Sequence, residues 1–275
     1  MRFRRLMLIL MALAVPAATV RCEDASPTGN HRGWEELSLV NARLAQDAFA
    51  AAVAADPTSR ESRLGAALSL LQLRDRTAGH IAEAGRLLEE LQRENPNDDT
   101  GIGAAYYLAR IAQVHSFTPD RAAAIAGYRA LLAAHPEHHY AQLAAPKLAI
   151  LLLYDDVPPD EWDRRAQQIE ALLPRLTAPE AIRDTQLTLA MAYIRLRNDP
   201  AHAYPLFASC LGAGSITRTP RLNAVLVLAA ESARRLGKSA EAAGYYARFL
   251  EEFPQDIKSD EIRRRLNQLK PGAAR

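Results

Sequence analysis

The chain has 275 residues, with 34 Lys and Arg against 32 Asp and Glu, 49% hydrophobic residues, 6% aromatic residues and two cysteines. That length suits one large or two small domains, and a dominance of Ala and Leu over Val, Ile and Thr favours helix over strand. The formal charge of +2 is too small for a nucleic-acid surface, and most of it sits in a segment expected to be removed.

That segment opens the chain. "MRFRR" is followed by the uncharged run "LMLILMALAV" and then by small and polar residues, the order of a secretory signal peptide. Val15 and Ala17 suit a cut after Ala17, so residues 1–17 are expected to leave. Loss of Arg2, Arg4 and Arg5 takes the formal charge from +2 to −1. The apolar run is shorter than the roughly 20 residues that a membrane span needs. Residues 18–33 are expected to form a flexible leader. Cys22 follows Thr19, Val20 and Arg21, and a large cation before the cysteine departs from the pattern of a lipid-modified site. The sequence leaves a Cys22–Cys210 bridge open.

From residue 34 one spacing recurs. A small residue, a bulky apolar residue and another apolar residue stand twelve, eight and five positions before a proline. Ala45, Phe49 and Ala52 do so before Pro57, although this first unit lacks a clear opening helix. "ESRLGAALSLLQL" and the turn "RDRTAG" lead to Ala84, Leu88 and Leu91 before Pro96. "DTGIGAAYYLARIAQV" leads to Ala124, Tyr128 and Leu131 before Pro136. A fourth pair is expected over 138–154 and 157–176, where "DEWDRRAQQIEALLPRL" is helical without a clean register. "PEAIRDTQLTLAMAYIRL" and "RNDP" precede Ala203, Phe207 and Cys210, with Ser215 where proline would fall. "PRLNAVLVLAAESARRLG" precedes Ala242, Tyr246 and Phe249 before Pro254. Steps of four and three put each trio on one helix face. The small member admits a neighbouring helix, the large one fills the space below, and the proline ends the helix. Pro119, Pro159, Pro179 and Pro220 mark helix starts, where the missing N–H costs nothing. "IKSDEIRRRLNQL" reads as a polar capping helix, and residues 271–275 as a disordered tail.

The small residues at 45, 84, 124, 203 and 242 lie 39, 40, 79 and 39 apart, the long interval being two periods. This resembles the tetratricopeptide repeat family over roughly residues 34–256. In the last unit Ala230, Gly237, Ala242, Tyr246 and Pro254 match the family's pattern, and in the fifth Ala190 and Tyr193 do. The period is nearer forty than the family's thirty-four, and Ala112 stands where Tyr is usual. The resemblance implies an all-α fold: a right-handed superhelical solenoid of five to six antiparallel helix hairpins over residues 34–270, with a C-terminal cap. It also implies inward-facing positions for a partner: Tyr106, Arg110 and Gln113 in the third unit, Asp184, Met191 and Arg195 in the fifth, and Glu231, Arg234 and Arg235 in the sixth. The family's chaperone-tail clamp uses Lys and Asn at positions held here by Leu64, Leu68, Leu187 and Val227, which argues against such a receptor.

No motif carries chemistry. A phosphate loop, a zinc helix and a nucleophile elbow are all missing from the sequence. "HPEHH" gathers His135, Glu137, His138 and His139, yet the residues cross a helix end, so interrepeat histidines are favoured over a metal site. Asp155, Asp156, Asp160, Glu161 and Asp163 lack the alternation and glycine of a calcium loop and suit a helix N-terminus. "RRR" at 263–265 suits a solvated face. Cys210 takes the place of Ala52 and reads as a small core residue. No cofactor and no metal are expected. The expectation is therefore a non-enzymatic, exported scaffold of the bacterial periplasm or cell envelope, binding a protein or peptide partner along its inner face, without nucleic acid and without a membrane span after signal cleavage. The rival expectations are a hydrolase or lyase on a helical toroid, and a self-assembling structural repeat protein.

Overall fold

The computed structural model describes residues 29–155, 158–217 and 219–269. Among them are thirteen α-helices and no strand. The signal segment, Cys22, Asp156 and the tail at 271–275 lie outside the described residues.

Twelve helices form six antiparallel hairpins, each with a first and a second member. The pairs are α1 (Gly29–Ser38) with α2 (Ala42–Ala55), α3 (Arg60–Gln72) with α4 (Ala78–Glu94), and α5 (Asp99–Arg110) with α6 (Arg121–Ala134). Then come α7 (His139–Leu153) with α8 (Pro159–Glu170), α9 (Pro179–Ala192) with α10 (Pro200–Gly212), and α11 (Thr219–Arg235) with α12 (Ser239–Glu252); α13 (Ser259–Gln268) packs on α12 as the cap. First helices of neighbouring hairpins touch from α1 through to α9. Two expectations change here. Helix α1 supplies the opening helix that the first unit lacks in the sequence pattern, and it starts at Gly29, within the segment expected to be a flexible leader. Its Trp34 explains why: the ring packs edge-on against Phe49, with centroids 5.1 Å apart, and its N–H donates to Glu61.

The recurring trios form the core. Ala45 with Phe49, Ala84 with Leu88, Ala124 with Tyr128, Ala203 with Phe207 and Ala242 with Tyr246 are all 0% exposed. The residue before each of Pro57, Pro96, Pro136 and Pro254 leaves the helical region, with ψ between 52° and 103°, as a following proline requires. Pro159, Pro179 and Pro200 open α8, α9 and α10. Side chains of Ser59, Thr77, Asp98, Asp120 and Asp199 accept hydrogen bonds from the first free N–H groups of α3, α4, α5, α6 and α10.

The fourth unit has the same register with the sizes exchanged. Trp162, Ala166 and Ile169 stand twelve, eight and five residues before Pro174, and are 3%, 1% and 0% exposed. The large ring occupies the position that is small elsewhere. Its indole N–H donates to the Leu153 carbonyl at 2.8 Å, so Trp162 also caps the end of α7.

Candidate inner-face cleft

Helices α5 and α9 do not end as plain α-helices. Each runs on into a π-helical turn, Ile111–His115 and Tyr193–Arg197 respectively, closed by Ser116 N–H to Ile111 and Asp199 N–H to Tyr193. A wider turn rotates the succeeding residues around the helix axis. Family spacing therefore misplaces residues beyond it.

In the third unit the sequence candidates lie inward, Gln113 within the turn and Tyr106 before it. Tyr106 is 6% exposed and stacks on Tyr140 with centroids 5.6 Å apart, so it is core and offers a partner no surface. Gln113 faces Tyr128, whose hydroxyl donates to Gln113 Oε1 at 2.7 Å while Arg110 donates to the same oxygen at 2.7 Å. Both sides of that amide oxygen are used within the fold.

In the sixth unit the candidates secure the cap. The Glu231 carboxylate accepts from Arg234 at 2.9 Å, from the Tyr246 hydroxyl and from Arg265 of α13. Burial, the largest single influence, pushes its pKa up, but the hydrogen bonds from Tyr246, Arg234 and Arg265 together hold it below the ordinary 4.5. Tyr246 moves the other way, pushed up to about 12 by burial and then by Glu231. Arg235 donates to the carbonyl of Asn198 at 2.9 Å and ties α11 to the turn after α9. Glu231→Gln is expected to destabilise the chain by about 1–3 kcal/mol. A depressed carboxyl contributes stability above its unfolded pKa and loses it as pH falls through the folded value. The gap between wild type and variant in urea unfolding should thus be full above about pH 5 and close in stronger acid.

The fifth unit delivers the surface. Met191 and Arg195 of α9 line a cleft of about 410 Å³ together with Ile150 and Tyr154 from the end of α7 and Arg221 and Leu228 of α11. Three successive first helices thus meet on the inner face. Ile150 is 42% and Tyr154 40% exposed, an apolar floor open to solvent. Burial raises the Tyr154 pKa, with Arg195 pulling against it, so that guanidinium stands near the phenol. Asp184 at the rim is bound by Arg183 at 2.9 Å and Arg221 at 3.0 Å. Lys147, one turn before Ile150, is half-buried; burial lowers its pKa, Arg110 and Arg221 lower it further, and Asp184 opposes them. Sequence reasoning missed Lys147, Ile150, Tyr154 and Arg221, because the α7 stretch "KLAILLLY" reads as continuous core and Arg221 follows a helix-starting proline.

Other clusters are occupied by the fold. A cleft of about 460 Å³ between α4, α5 and α6 is lined largely by Ala109, Ala112, Ala123, Gly127 and Ala130, a gap left by small residues. In the polar hollow beside α8 and α10, Asp163 pairs with Arg197, Glu170 accepts the Tyr193 hydroxyl and Asp199 holds His202. The histidines of "HPEHH" go to different neighbours: His138 caps α7 and contacts Asp99, while His139 lies 3.7 Å from Glu180. Asp160 and Glu161 occupy the first turn of α8. No three His, Cys, Asp or Glu among the described residues are grouped to hold a metal ion. Cys210 is 1% exposed and without a disulfide partner among the described residues, its thiol pushed up to about 11 by burial.

Fold and cleft define an all-α helical-repeat protein whose inner face is built from the first helices of its hairpins. Residues 224–256 match the tetratricopeptide repeat model, and the stacked hairpins give the chain a tetratricopeptide-like fold. No curated protein matches its sequence. Among solved structures it is similar to PilW, a widely conserved type IV pilus biogenesis factor, with a TM-score of 0.58 and 16% identity over 85% of this chain and 96% of that one. It is also similar to a tetratricopeptide repeat protein of Parabacteroides merdae (TM-score 0.49, 14% identity, 87% and 84% covered) and to a thermophilic one of Thermus thermophilus (0.44, 20%, 77% and 98%). At these identities the PilW likeness speaks for the fold alone. No helix among the described residues is long and apolar enough to cross a membrane.

Proposed function

We propose that this chain is an exported, non-catalytic scaffold of the bacterial periplasm or cell envelope that holds a protein or peptide partner on its inner face. The observation that carries the reading is the cleft where α7, α9 and α11 meet, with exposed Ile150 and Tyr154 beside Met191 and between Arg195 and Arg221. Solvent-exposed apolar side chains framed by arginines, on a rigid surface of stacked hairpins, are the features of a partner-anchoring patch. The signal-like N-terminus supports export, and the likeness to a pilus biogenesis factor is consistent with work in the envelope. Repeat solenoids of this kind bind extended segments or helices along the inner face rather than performing chemistry.

A photo-crosslinking residue at position 191 of the full chain, expressed in its own host, tests this. Capture of one discrete envelope protein is expected, with the yield falling at least tenfold when Ile150→Glu is added. No product from position 191, or equal products from an outward position such as 130, would sink the reading.

A further inference from the structure

Resting on the scaffold reading above, we infer that the segment held in this cleft is acidic, a partner peptide whose apolar side chains are flanked by Asp or Glu. The charges that face the cleft come from every element around it. Arg195 of α9 and Arg221 of α11 line it, and Lys147 of α7, one turn before Ile150, stands near enough to feel Arg110, Arg221 and Asp184. Four are cations and one is an acid. Asp184 is already held by Arg183 and Arg221, and Glu231, further along α11, by Arg234 and Arg265. Neither Lys147 nor Arg195 forms an ion pair among the described residues.

Several arginines elsewhere in the fold are matched by carboxylates: Arg60 and Arg63 with Glu94, Arg165 with Asp155 and Glu161, Arg197 with Asp163, Arg248 with Glu252. Lys147 is half-buried among like charges, which disfavours its ammonium form. A carboxylate arriving from a partner would relieve that repulsion and form its ion pair at the edge of an apolar, poorly hydrated floor, where Coulomb attraction is strongest. The floor itself, Ile150, Tyr154, Met191 and Leu228, requires apolar side chains between those carboxylates. A nucleic acid suits it less well, since Arg195 and Arg221 flank one short apolar cleft rather than tracking a backbone.

A displayed library of random 12-residue peptides, selected on the full mature chain, reads the preference directly. Enriched sequences are expected to combine Asp or Glu with Leu, Ile, Phe or Met, and to disappear when the selecting chain carries Met191→Glu. A synthetic peptide of the enriched consensus should lose at least thirtyfold in affinity to the Lys147→Gln/Arg195→Gln variant, which leaves the Arg221–Asp184 pair intact and should melt like wild type. Its affinity should also fall as salt rises. Enrichment of neutral or basic sequences that still depends on Met191 would overturn this inference and leave the scaffold reading standing. Enrichment independent of Met191, or none, would overturn both.

Discussion

Trp162→Ala should cost about 3–5 kcal/mol of stability, read as a lower urea midpoint. Three losses combine. The indole is 3% exposed, so its removal leaves a cavity between α7 and α9. Its edge-on contact with Tyr193, centroids 5.3 Å apart, disappears, and the Arg197 guanidinium 5.4 Å from the ring loses its platform. The Leu153 carbonyl at the end of α7 loses its donor. Trp162→Phe retains most of the packing and isolates the last effect, for which about 1–2 kcal/mol is expected. Because each hairpin contacts mainly its neighbours, the Ala variant should also unfold in two steps, with units on either side of the fourth parting company. A midpoint within about 0.5 kcal/mol of wild type would show that the exchanged trio of unit four does not hold the solenoid together.

That exchange also shows why some of the fold was legible and some was not. Ala124 with Tyr128 and Ala242 with Tyr246 announce themselves, because the pair recurs at nearly forty-residue intervals and at one fixed distance before a proline. Trp162 and Ala166 meet the same geometric need in reverse order, and a search fixed on the small residue in first place passes over them. Spacing, rather than residue type, is what the helix face conserves between units. The inner face was harder. Met191 precedes the π-helical turn of α9 and Arg195 lies within it, and both line the cleft. Gln113 lies within the turn of α5 and was carried round to Tyr128. A π-turn has no sequence signature of its own. Tyr106 illustrates a second limit: an amphipathic aromatic reads as an anchor until its neighbours are known, and here Tyr107, Tyr128 and Tyr140 enclose it.

Gln142→Met should destabilise by about 2–4 kcal/mol, although the substitution nearly preserves volume. The Gln142 amide is 1% exposed and uses all its main valences. Its Nε2 donates to the Pro136 carbonyl at 3.1 Å and to Thr177 Oγ1 at 2.9 Å, while its Oε1 accepts from the N–H groups of Thr177 at 2.9 Å and Ala178 at 2.6 Å. One side chain of α7 therefore fixes the segment that delivers the chain into α9. Methionine fills the space but leaves two part-buried N–H groups and a carbonyl without partners. Helix α9 then starts from a loosened anchor, and Asp184, Met191 and Arg195 move with it. Amide exchange at 177–182 should accelerate well before global unfolding, and the yield of the position-191 crosslink should drop even at temperatures where the variant remains folded. Unchanged exchange at those amides would mean that the packing of Leu176, 6% exposed, is enough to hold the loop, and that α7 does not set the position of the groove's middle helix.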